Sequence, residues 1–173
     1  MTPARAEQQI RELAEQAGEG PVIDRLIPAF HEGDVYWFLW PTVGGDLCWG
    51  EHAPLGLVRG CYADKDLSAG STPMLKGLIG PSFIDDGAWA MVFFVDQEKV
   101  DNLTCNGVSL PLTEVGTLRT PAGTRTFYTT VAPWAVSGTM PAEVVREGAK
   151  ATDHLTLLPG SAPKGDPRFR ECE

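Results

Sequence analysis

The chain has 173 residues, a length that favours one domain and can bury about 70% of the surface its unfolded form exposes. With 14 Lys and Arg against 23 Asp and Glu, the net charge is −9; phosphate backbones and anionic membranes are disfavoured partners, because both select cations. No stretch approaches the roughly 20 apolar residues of a membrane helix, so membrane insertion is not expected. Arg5, Glu7, Arg11, Glu12, Glu15 and Glu19 leave no apolar signal segment in residues 1–20. As written, the chain is expected in the cytoplasm; a form trimmed of a leader belongs outside it.

Residues 3–17 read as a helix. Thr2 suits its N-cap and Pro3 its first turn, and Ala6, Ile10, Leu13, Ala14 and Ala17 fall on one narrow face. Gly18 and Gly20 end it. From Pro21 onward the pattern changes to strands. Residues 22–29 and 35–40 come first, the second apolar without alternation and so expected to be buried on both faces. Gly44-Gly45 then turns the chain into residues 46–50, and residues 57–63 follow. A polar loop covers residues 64–72. Strands are expected over residues 74–79 and 88–95, separated by Pro81 and the turn signal Asp85-Asp86-Gly87. Residues 100–105 and 108–112 flank Asn106-Gly107, a dipeptide whose tolerance of positive φ marks a tight hairpin. Residues 124–132, 140–147 and 151–157 complete the set.

About nine short strands, with turn signals every 8 to 12 residues or so, indicate an all-β fold: an antiparallel β-sandwich, immunoglobulin-like or related, with a short N-terminal helix. The expected division is a helix at 1–20, the sandwich at 21–158 and a flexible tail at 159–173, rich in Pro, Gly and charge.

No nucleophile elbow, phosphate loop or dinucleotide fingerprint is present. The cysteines are Cys48, Cys61, Cys105 and Cys172, with no CxxC pair to suggest a zinc ribbon. Cys48 and Cys61 sit near the ends of two expected strands, and either a pair of buried thiols or a disulfide satisfies them. Cys105 has no evident His partner for nucleophilic chemistry, and Cys172, in the polar tail, is expected to be free. Asn102-Leu-Thr104 matches a glycosylation sequon.

His31 lies in the turn Phe30-His-Glu-Gly-Asp34, beside Glu32; His52 follows Glu51 in a segment read as loop. Solvated turns account for both. Convergence of His31 and His52 with Glu32 or Glu51 would instead make a two-His carboxylate metal site. Of five tryptophans, Trp37 and Trp89 lie mid-strand and belong to a core. Trp49 and Trp134 occupy turn-like contexts, where an indole can anchor a partner, although a cap over one end of a core explains them equally.

The run Val35-Tyr-Trp-Phe-Leu39, the Gly45-Asp-Leu-Cys48 and Gly60-Cys61 pair, the stretch from Phe94 to Thr104, Asn106-Gly107 and Thr126-Phe-Tyr128 resemble an uncharacterised bacterial β-sandwich module, immunoglobulin-like, found in some exported or anti-sigma-factor-like proteins. The resemblance covers residues 22–158. It implies a sandwich and a Cys48–Cys61 disulfide, and it carries no catalytic residues. The function expected is non-catalytic: a domain that binds another protein, with Trp49, Trp134, Glu51 and His52 as binding candidates and no cofactor. The alternatives are a small-ligand or metal-binding enzyme with a loop site around His31 and His52, and a structural subunit of a larger assembly.

Overall fold

The computed structural model describes residues 1–67, 72–85, 87–157 and 169–173. It is mostly strand, with two short helices and antiparallel sheets. Contacts within the chain group it into two compact units, Met1–Ser68 and Ala69–Glu173. The expected division into a helix, one domain over 21–158 and a tail has no boundary near residue 68.

In the first unit, helix α1 (Pro3–Gln16) starts where Thr2 accepts a hydrogen bond from the Arg5 amide. Ala6, Ile10 and Ala14 are buried in one core cluster with Tyr36, Phe38, Trp40 and Cys48. That packing is what holds so short a helix. The sheet beside it runs β1 (Ile27–Glu32), β2 (Val35–Pro41), β3 (Leu47–Ala53) and β4 (Gly56–Tyr62), each antiparallel to the next in chain order. Tyr36 to Trp40 are all buried, so β2 is covered on both faces as its unbroken apolar run requires. A short helix, α2 (Asp64–Leu67), follows.

The first strand starts later than residue 22, and helix side chains are the reason. Glu7 accepts from the Leu26 amide at 2.8 Å, and Arg11 donates to the carbonyls of Ile23 and Asp24. Backbone groups satisfied by α1 do not need a sheet neighbour.

The second unit has two sheets. One is ordered β5 (Met74–Asp85), β6 (Ala88–Asp96), β10 (Gly123–Ala132), β9 (Leu112–Thr120). The other is ordered β12 (Ala149–Thr156), β11 (Val136–Arg146), β7 (Glu98–Cys105), β8 (Val108–Ser109), with β13 (Arg170–Cys172) added in parallel to the start of β11. Both sheets supply one apolar cluster, including Met91, Phe93 and Tyr128 from the first and Leu103, Met140 and Val144 from the second.

Cys172 is not free. It is bonded to Cys105, and the described end of the tail is a strand. Val136, Ser137 and Gly138 pair with residues 170–172. The Asn106 side chain donates to the Glu171 carbonyl at 2.8 Å and accepts from the Glu173 amide at 3.0 Å, so one amide side chain acts as a further rung. A side-chain carbon at Gly138 would collide with the Cys172 carbonyl, which restricts that position to glycine. The rest of the expected tail, much of the expected loop 64–72 and Asp86 of the expected turn lie outside the described residues.

Candidate functional site

The β3–β4 hairpin collects more of the candidate residues than any other described element. Trp49, Glu51 and His52 all lie on β3, within the sheet and not in loops. Register places Trp49 opposite Gly60, Glu51 opposite Val58 and His52 opposite Leu57. Trp49 and Glu51, two apart, share one face, and His52 points to the other.

That first face is built around a missing side chain. A carbon added at Gly60 would sit 2.8 Å from Trp49 Nε1, so the indole lies over the glycine. Two residues on, the Trp37 indole donates to Glu51 Oε2 at 2.6 Å and fixes the carboxylate. The Trp49 indole and the Glu51 carboxylate are both half-buried. The turn of the hairpin and the start of β4 read Pro54-Leu-Gly-Leu-Val58; Leu55 is fully exposed, Val58 is 52% exposed and Leu57 38%. β4 is the last strand of its sheet among the described residues, and along residues 57–60 its outward backbone groups have no strand partner there.

On the opposite face, His31, Tyr36 and His52 stand in register on three adjacent strands. His31 stacks on Tyr36 with ring centroids 4.3 Å apart, and Tyr36 meets His52 edge-on at 6.1 Å. A phenol ring therefore separates the two imidazoles. Glu32 and Glu51 are each one residue along from a histidine and point to the other side of the sheet. The structure does not bring His31, Glu32, Glu51 and His52 together as a ligand set. Among the described residues, one group of three metal-type donors lies within mutual reach, Glu19 with Cys48 and Cys61, and its two sulfurs are bonded to each other. Glu19 is engaged by Arg59.

Trp134 belongs to the second unit, in the turn between β10 and β11. It packs against the apolar cluster there, and its Nε1 is buried with no hydrogen-bond partner among the described residues. Trp37 and Trp89 are buried, as mid-strand positions require.

Two buried carboxylates flank Gln97, where β6 passes into β7. Asp96 receives two bonds from Arg125, at 2.8 and 2.9 Å, and the guanidinium lies 4.2 Å from the centroid of the Phe94 ring. Glu98 is bonded by Arg146, which also reaches Asp153 at 2.9 Å. Burial pushes the Glu98 carboxyl up to about 7, with Arg146 pulling it down and Asp153 adding to the rise. Burial likewise raises the hydroxyls of Tyr62 and Tyr128.

Leu55, Leu57 and Val58 are the site residues that sequence reasoning passed over. The strand expected over residues 57–63 takes in Leu57 and Val58, and Leu55 falls in the segment before it. The usable signal was Pro54 and Gly56 in a run with no polar alternation, which fits a hairpin turn leading into an outermost strand. Comparison of the chain with protein-family models, with curated proteins and with solved structures finds no match.

Proposed function

We propose that this protein is a non-catalytic binding domain that docks another protein on its β3–β4 hairpin. The exposure of Leu55, Leu57 and Val58 carries the reading, since three aliphatic side chains left in water along one hairpin and outermost strand cost solubility unless a partner covers them. Trp49 and Glu51 beside them supply an amphipathic anchor and a charge.

The second unit is read as a β-sandwich of immunoglobulin-like type, supported by the single apolar cluster to which both of its sheets contribute. The two cystines support residence in an oxidising compartment.

The test is affinity capture from source cells with the full chain and with a Leu55→Ser, Val58→Thr variant. The variant should keep its melting temperature and circular dichroism and lose the captured protein. Equal capture by the folded variant would discard the hairpin as the docking site.

A further inference from the structure

We infer that the partner binds as an extended, cationic segment, pairing with β4 as a fifth strand of the first sheet and laying a basic side chain against Trp49 and Glu51. This rests on the docking reading above and specifies what is docked.

The backbone argument comes first. Residues 57–60 present outward amides and carbonyls at the side of a sheet, and an incoming strand satisfies such groups in order. Proteins usually guard an open strand with lysine, proline or an inward charge. The one charged residue in β4 is Arg59, and it is drawn back to Glu19. The side of β4 is thus left without a gatekeeper.

The side-chain argument selects the partner's chemistry. On the face shared by Val58 and Gly60, an added strand meets Val58, with Glu51 behind it, and then the gap at Gly60, which the Trp49 indole fills from β3. A lysine or arginine opposite Gly60 would lie on the indole and within reach of the carboxylate, which Trp37 already holds in place. On the same strand an apolar residue would cover Leu57 on the other face, and the aliphatic stem of a second lysine or arginine would lie along Val58. A second copy of this chain is the wrong occupant: each copy carries a net charge of −9, and the one cation of its β4, Arg59, is drawn back to Glu19 and so is not offered to a facing strand.

The test is calorimetric titration of the full chain with three short synthetic peptides: alternating valine and lysine, alternating valine and glutamate, and the lysine peptide with a central proline. The lysine peptide should bind at least about tenfold more tightly than either of the others. Glu51→Gln and Gly60→Ala should each weaken it several-fold with the fold retained. Equal binding of the proline peptide would overturn strand pairing, and equal binding of the glutamate peptide would overturn charge selection. Failure of every peptide to bind, or a peptide-free protein already dimeric through β4, would overturn the inference as a whole. If no peptide binds while the Leu55 and Val58 variant still loses its captured protein, the hairpin remains the docking site and the strand mode alone falls.

Discussion

Glu98 stands directly opposite Arg146 across β7 and β11, and the side chain of the acid has no exposed surface while that of the base is 37% exposed. The guanidinium spans from solvent to a sealed carboxylate, and it also reaches Asp153. One oxygen of Glu98, Oε1, has no partner among the described residues.

This arrangement sets a pH dependence. The folded carboxyl titrates at about 7 because burial penalises its charge, against an ordinary value of 4.5. Between those two values the folded chain holds a proton that the unfolded chain releases. Stability contributed by this group is therefore greatest near or below the lower value and declines as pH rises through the higher one. Urea unfolding at about pH 5 and about pH 7.5 should differ by about 2 kcal/mol in favour of the acid side. Glu98→Gln, which carries no titrating proton, should remove that difference.

Asp96 and Arg125 form a pair sealed at both partners, with side chains only 6% and 4% exposed. Arg125→Ala would leave the carboxylate buried without its cation, at a cost of about 3–5 kcal/mol. An Asp96→Leu, Arg125→Met double variant should lose much less, since neither charge is then stranded. Thermal melts of the three proteins compare the cases directly; equal losses would mean that packing against Phe94 matters and the charge does not.

The two cystines should contribute unequally. Cys48 and Cys61 are 13 residues apart, and Cys105 and Cys172 are 67 apart. Loop-closure entropy assigns about 3 kcal/mol to the shorter link and about 4 kcal/mol to the longer. Replacing both cysteines of a pair with serine should therefore lower the melting temperature more at 105 and 172, and amide exchange should become faster at 136–138, where β13 pairs.

Gly60 is a packing position. Gly60→Val should dislodge the Trp49 indole and cost about 1–3 kcal/mol, with tryptophan emission shifted toward that of a solvated ring. Unchanged emission would place the indole elsewhere.

Most of the strand pattern was legible because apolar runs and tight turns carry their own period. Residues 35–40, 88–95 and 124–132 emerge as strands close to where they were expected. β9 was missed for a physical reason. It is an outer strand whose residues are all exposed or half-buried, so no face of it is apolar enough to show alternation. β13 was missed because two charged residues and a cysteine reveal nothing until Cys105 and Asn106 are in position to receive them. The site was legible in part: Trp49, Glu51 and His52 fall on one strand, but which side of each strand they occupy depends on a register that only the hairpin fixes. Glu98 went unmarked, because an acid two residues before Val100 looks like any surface charge until β11 covers it.

The bond between Cys105 and Cys172 also decides how the molecule carries tension. A pull on Glu173 is passed through Cys172 into Cys105, and from there toward the N-terminus. The chain from 106 to 171 forms a closed covalent ring and bears none of that load. Stretched from its two ends, the oxidised protein can extend only by the residues outside this ring and the smaller one closed by Cys48 and Cys61, and reduction would release both as slack.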